Sequence, residues 1–344
     1  MSAPPPFDPE GPPLPALRPP APPAPIFELL PPAGDPSPPP PPPPQRYGRA
    51  LLLFALTFLC ATTLGPVMVL YARSDVTTNL FFALTPHTIR EVWTDPALLR
   101  MGLSFSVPAL LILLAHEMGH YLTCRFYGIA CSLPYFLPVP FGFGTFGAFI
   151  RIREPIHTKR ELFDVGISGP LAGFVALIPF LLYGIARSEP VALPPAEPGS
   201  GDTLLAPSHC LLFQLCARLF HGPQEGMHLN LHPMALAAWL GLLATSLNLL
   251  PLGQLDGGHI LYAATGALQR RLAIPLWLAL GVMGFYSPGW FLWCAIVLLI
   301  GLFHQPVRDE GAPLGRARGW LAWLALLIFV LSFTPVPFHQ IPMP

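Results

Sequence analysis

The 344-residue sequence is 53% hydrophobic and only 10% charged, and its 18 basic residues are balanced by 18 acidic ones. A soluble domain carries charge on about a quarter of its residues, so this composition excludes an ordinary soluble protein and points to lipid. A formal net charge of zero removes the global basic field on which nucleic-acid binding relies, and no nucleic-acid partner is expected. The six cysteines form no C-x-x-C pair, which argues against a thiolate metal cluster or a disulfide framework. Cys210 and Cys216 are the one pair placed to join outside the cell.

Of the 48 prolines, 22 fall before residue 46, including the unbroken run Pro38 to Pro44. Such a stretch predicts a disordered, partly polyproline II tail. It lacks the basic start and short apolar core of a cleavable signal peptide, so the expectation is a retained cytoplasmic extension. The tail reads as a solvated spacer; a proline-recognising domain of the SH3 or WW type is the alternative partner.

A bilayer core about 30 Å thick needs on the order of 20 apolar residues per helix. Stretches approaching that length lie at 50–72, 99–124, 166–186, 234–252 and 319–336. A further region, 272–305, holds two shorter apolar runs broken at Ser287, Pro288 and Gly289, which predicts a tight helical hairpin or a broken helix pair. About seven spans follow. Basic residues favour the cytoplasmic side, so Arg46 and Arg49 place the first N-terminus inside. Arg125, Arg151, Arg153, Lys159 and Arg160 then fall inside, and the Pro-rich loop 187–230 outside. Arg270, Arg271, Arg308, Arg316 and Arg318 fall inside again. The ends of the second and fourth spans both reach the cytoplasmic face.

The second span ends in His116-Glu117-Met118-Gly119-His120, an H-E-x-x-H on an apolar helix. Histidines at i and i+4 share one helix face and are close enough for both imidazoles to hold a single Zn²⁺. Glu117 then stands beside the open coordination position, where it can take a proton from water and later give it to a leaving amine. Two imidazoles and an acid cost several kcal/mol near a span end unless they are paired or bound. The bland alternative is a polar helix end snorkelling to the interface.

Two histidines leave a tetrahedral site short of one protein ligand if water is to keep the fourth position. The fourth span ends in Asn248-Leu-Leu-Pro251-Leu-Gly-Gln254-Leu-Asp256-Gly257-Gly258-His259, which supplies an acid just after proline and glycine. Asp256 is the natural oxygen ligand, with Gly257 and Gly258 expected to let the backbone turn it toward the metal. His259 is expected beside the ligands rather than among them. The Asn248 amide has two readings: a donor to a developing oxyanion, or a packing amide between spans.

Other features carry less. Gly142 to Arg153 alternates glycine with phenylalanine and then runs Ala-Phe-Ile-Arg-Ile-Arg, a period of two that suits a hairpin or an edge strand. An exposed edge there could pair with an extended substrate; an interfacial loop with aromatic anchors is the alternative. Gly166, Gly169 and Gly173 give the third span a small face for close helix approach, most usefully to the motif helix. His228 and His232 lie across the membrane from the motif, with Pro233 immediately after, and are read as structural. The segments around His304 and His339 are uninformative.

Taken together, H-E-x-x-H at His116 to His120 and N-x-x-P-x-x-x-x-D-G at Asn248 to Gly257 resemble the site-2 protease family of intramembrane zinc metalloproteases. The likeness extends through Gly142 to Ala148, Leu162-Phe163-Asp164, Ser168 to Gly173 and His232 to His259. It is similar to the branch without a PDZ domain that includes bacterial and chloroplast members. The resemblance implies zinc held by His116, His120 and Asp256, with Glu117 as catalytic base and Asn248 helping to stabilise the oxyanion. It also implies a transmembrane protein as substrate. The expected fold is an all-α polytopic membrane protein of about seven transmembrane helices with a re-entrant β-hairpin-like segment near residues 140–153. Residues 1–48 form the tail and 49–344 the membrane-embedded metalloprotease domain, with its core at about 99–265. A multi-pass protein of a bacterial cytoplasmic membrane, N-terminus cytoplasmic, is expected. The alternative is a zinc-binding membrane protein without catalysis, or a transporter.

Overall fold

A computed structural model describes residues 47–72, 84–192, 203–223, 227–304, 306–309, 311 and 313–342. The tail expected at 1–48 therefore lies outside the described residues, apart from its last two. Among the described residues, ten helices and six short strands run in the order α1 (Tyr47–Ala72), α2 (Pro86–Thr94), α3 (Pro96–Phe126), β1 (Tyr135–Pro138), β2 (Thr145–Phe149), α4 (Lys159–Ala186), β3 (Glu189–Ala192), β4 (Thr203–Pro207), α5 (Leu211–His221), β5 (Met227–Asn230), α6 (Pro233–Asn248), α7 (Asp256–Thr265), α8 (Ala267–Met283), α9 (Gly289–Ile300), α10 (Arg316–Ser332) and β6 (Phe338–Pro342).

Among the described residues three helices are long and apolar enough to cross a membrane: Tyr47–Leu70 of α1, all of α3 and all of α4. The other apolar stretches fold into shorter helices. The 16-residue α6 rises only about 24 Å at 1.5 Å per residue. The break expected at Ser287 to Gly289 is present, since α8 ends at Met283 and α9 begins at Gly289.

Helix starts follow local chemistry. Asp95 accepts hydrogen bonds from the backbone of Ala97 and Leu98 to cap α3. Thr158 and Glu161 form a capping box for α4, satisfying backbone donors that the first turn leaves open. That cap starts α4 about two turns before the apolar stretch that begins at residue 166, and Leu162 and Phe163 in those turns are buried.

α3, α4 and α6 pack together at the centre, with α1 against α3 and α7 against α4. Their shared interior includes Phe105, Leu177, Leu181, Leu236 and Trp239, all buried. Lipid offers little hydrophobic drive between helices, so close packing and polar contacts must supply the cohesion. The buried hydroxyls of Thr62 and Ser106 meet at 2.7 Å across α1 and α3.

β1 and β2 form an antiparallel hairpin in the register Tyr135↔Phe149, Phe136↔Ala148 and Pro138↔Thr145, with an irregularity between Phe136 and Pro138. The first strand lies upstream of the segment whose alternation was visible in the sequence. β1 packs on α1, where Phe136 meets Phe54 edge-on at 5.1 Å between ring centres. β2 lies beside α3. The stretch 187–230, which reads in the sequence as an external Pro-rich loop, holds β3, β4, α5 and β5; β3 pairs with β5, and β4 pairs with β6 from the far end of the chain. Cys210 and Cys216, at the start and middle of α5, are free thiols. His232 accepts a hydrogen bond from the Met234 backbone and caps α6, the structural role expected of it; the side chain of His228 lies outside the described residues.

Candidate metal centre

His116, Glu117 and His120 are buried on α3, with 6%, 7% and 7% of their surfaces exposed. One helical turn separates the two histidines, and their Nε2 atoms stand 3.1 Å apart. Asp256 opens α7 and directs Oδ2 to 3.2 Å from His116 Nε2 and 3.3 Å from His120 Nε2. The structure thus brings together the three residues expected from two motifs 136 positions apart at their nearest ligands.

The helix α4 fixes the imidazoles from behind. His120 Nδ1 lies 2.7 Å from the Val165 carbonyl oxygen. A carbonyl only accepts, so Nδ1 carries the proton and the Nε2 lone pair points at the cluster. A Cβ on Gly169 would lie 2.0 Å from His120 Nε2, and one on Gly173 would lie 3.1 Å from His116 Cβ. Gly166 faces α7 instead, 3.0 Å from His259 Cβ by the same construction. The small face of α4 therefore serves both halves of the site.

Asp256 is placed by a turn more specific than its sequence suggests. Gly257 and Gly258 lie in the first turn of α7 and have ordinary negative φ angles. Their role is close approach: a Cβ on Gly257 would lie 2.0 Å from the Leu249 carbonyl oxygen, and one on Gly258 would lie 2.4 Å from that of Gly253. The residue with left-handed backbone is Gly253, at φ +52°. The turn is thus made by Gly253, and the two following glycines let α7 nest against it.

Three donor atoms with edges of 3.1, 3.2 and 3.3 Å suit one metal ion. Ligands about 2.0–2.1 Å from a tetrahedral zinc stand roughly 3.3–3.4 Å from one another. Two imidazole nitrogens and one carboxylate oxygen are also a common zinc donor set that keeps one position open. The residues present fit the ion.

Asn248, the last residue of α6, places Nδ2 3.2 Å from His116 Nε2. A cavity of about 310 Å³ opens onto these groups, lined by His116, Glu117, Asn248 and the hairpin residues Thr145 to Ala148. Among the described residues no third strand pairs with β2.

Sequence reasoning missed His304. Its ring meets His259 at 2.8 Å, Nε2 to Nδ1, just behind Asp256. The segment offers no periodic pattern or motif that could have signalled this contact.

The fold and the cluster define a class: a helical membrane protein with a His-His-Asp site of zinc-binding composition, its histidines buried and its aspartate half-buried. Residues 104–281 match the model of Peptidase family M50, and the chain belongs to that family, in agreement with the site-2 protease likeness of its motifs. The "Probable zinc metalloprotease EGY2, chloroplastic" of Arabidopsis thaliana is 32% identical over 249 residues, covering 70% of this chain and 43% of the relative. The "Probable zinc metalloprotease EGY1, chloroplastic" of Oryza sativa subsp. japonica is 29% identical over 306 residues, covering 85% of this chain and 51% of the relative. The chain spans about half the length of the curated relatives it matches. No solved structure matches it at a significant level.

Proposed function

We propose that this protein is a zinc-dependent endopeptidase that hydrolyses peptide bonds in or near transmembrane segments of other membrane proteins. The observation that carries this reading is the meeting of His116, His120 and Asp256 within 4.8 Å, inside a helical bundle and beside the acid Glu117.

His116, His120 and Asp256 would hold the ion. Zinc bound there supplies Lewis-acid polarisation of the scissile carbonyl and acidifies the attacking water. The remaining work belongs to the chain. The Glu117 carboxylate takes a proton from the attacking water and returns it to the nitrogen of the leaving amine. The Asn248 amide donates toward the carbonyl oxygen as that atom gains charge. The Val165 carbonyl keeps the Nδ1 proton on His120, so that its other nitrogen faces the cluster. The outer edge of β2 pairs with the substrate main chain and holds it extended, as hydrolysis of a helix requires. Backbone that is neither helix nor closed sheet is tolerated at membrane depth only where it lines a cavity, and the hairpin does line one.

In this reading about seven segments enter the membrane, the shorter α6, α8, α9 and α10 completing the bundle around α1, α3 and α4. Residues 49–344 form the protease domain, and 1–48 a cytoplasmic tail open to a proline-recognising partner. The reading places the protein in a bacterial cytoplasmic membrane with its N-terminus cytoplasmic; the relatives are named chloroplastic.

The test is to purify wild type and Glu117→Gln in detergent, measure bound zinc, and follow cleavage of a transmembrane reporter. About one zinc per chain is expected in both, with cleavage by the wild type alone. Equal cleavage by both proteins would remove the mechanism. Stoichiometric zinc with no cleavage of any membrane reporter by either would favour a zinc-binding membrane protein without catalysis.

A further inference from the structure

We propose that the segment Gly301–His304, between α9 and α10, is a clasp that positions the third zinc ligand, with His304 as its positioning residue. The proposal rests on the reading of His116, His120 and Asp256 as a metal site. The clasp lies outside the family-matched segment, which ends at residue 281.

Asp256 is the first residue of α7, a helix of only 10 residues. Isolated helices shorter than about 12–15 residues are marginal on their own. The Asp256 carboxylate can therefore stay within 3.3 Å of both imidazoles only if the turn before α7 and α7 itself are held from outside. α4 supports one side, through Gly166. α8 and α10 also pack against α7, and the clasp holds the turn before it together with the His259 face.

Every residue of the clasp contributes. The Gly301 carbonyl oxygen sits where a Cβ on Gly253 would be, 2.0 Å from it, so the left-handed turn residue is packed directly on the clasp backbone. Leu302 joins the apolar cluster of Leu250 and Leu252. The Phe303 carbonyl accepts from Gln254 Nε2 at 3.3 Å. The buried His304 ring stacks on Tyr262 at 4.3 Å with 15° between planes, while its Nε2 meets His259 Nδ1 at 2.8 Å. Its backbone N–H donates to Gln269 Oε1 and its carbonyl accepts from Arg270.

His259 follows Asp256 by three residues, so both side chains lie near one face of α7. Fixing the His259 ring fixes the rotation of α7 about its axis, and that rotation aims the carboxylate. Hydrogen bonds behind metal ligands typically account for about 10- to 100-fold in metal affinity. A stacked core histidine with no such role would contribute to folding alone.

The experiment titrates full-length protein in detergent with Zn²⁺ against a chromophoric chelator and records the visible absorption of the Co²⁺-loaded protein. His304→Phe keeps a ring on Tyr262 and removes the hydrogen bond; His304→Gln keeps a hydrogen-bonding group and removes the ring. His304→Phe should bind zinc about 10- to 100-fold more weakly and alter the Co²⁺ bands, whereas His304→Gln should stay within about threefold of wild type. Adding His304→Phe to His259→Ala should cost little more than His259→Ala alone, since both remove the same contact. Leu299→Ala, an exposed position on α9 outside the clasp, should match wild type.

Zinc affinity of His304→Phe within twofold of wild type would overturn the clasp, as would full additivity with His259→Ala or a His304→Gln no better than His304→Phe. His116→Ala separates the two readings. If it binds zinc as wild type does, the metal site itself fails. If it loses zinc while His304→Phe does not, only the clasp fails.

Discussion

Gly169 faces His120 so closely that a single added methyl would lie 2.0 Å from Nε2, the nitrogen directed at the metal cluster. The ring has no simple retreat, because its other nitrogen is bound to the Val165 carbonyl at 2.7 Å. Gly169→Ala should therefore abolish zinc binding, or weaken it by more than the roughly 10- to 100-fold typical of groups behind the ligands. Metal content of the purified protein measures this. Gly169→Ala with normal zinc would mean that the cluster tolerates displacement of one imidazole.

In the proposed site the donor atoms of His116, His120 and Asp256 join α3 to α7, so removal of zinc should loosen the bundle. A chelator should lower the thermal midpoint in detergent. Zinc at about 100 times its dissociation constant should then restore about 2.7 kcal/mol by mass action. A midpoint indifferent to zinc would contradict a preformed site of this kind.

The hairpin can be separated from the metal. Gly144 has φ +77°, and a Cβ there would lie 2.5 Å from the Ala61 nitrogen on α1, so Gly144→Ala must shift the turn. Zinc content should be unchanged while reporter cleavage falls on the order of 100-fold, as expected for a substrate misplaced by about 1 Å. Loss of zinc in this variant would show that the hairpin supports the ligands rather than the substrate.

At the start of α10, Arg318 grips Asp164 of α4 with two hydrogen bonds, Nε to Oδ1 at 2.8 Å and Nη2 to Oδ2 at 2.6 Å. Tyr127 donates to the same carboxylate, and burial together with that carboxylate raises its hydroxyl pKa and keeps the proton on. Both charged side chains are partly shielded, at 28% and 22% exposure. Charge-assisted hydrogen bonds are worth roughly 1.5–3 kcal/mol in such settings. Arg318→Lys, which cannot make the planar two-point contact, should lower the thermal midpoint measurably and Asp164→Ala should lower it further. Midpoints unchanged in both variants would reduce the network to a surface contact.

The sequence by itself determined which residues are candidates for the chemistry proposed for this protein. Composition consigned the chain to lipid, helical periodicity put His116 and His120 on one face with Glu117 between them, and the motif at Asn248 to Gly257 supplied the carboxylate. These signals are legible because they depend on neighbours within a helical turn or on totals over the chain. The tertiary structure alone decided what is nonlocal: that Asp256 comes within 3.3 Å of both imidazoles, that Tyr135–Pro138 is the partner of β2, that Gly257 and Gly258 serve close packing, and that His304 reaches His259. Each of these depends on which surfaces meet when helices pack, and such meetings leave no period or spacing along the chain.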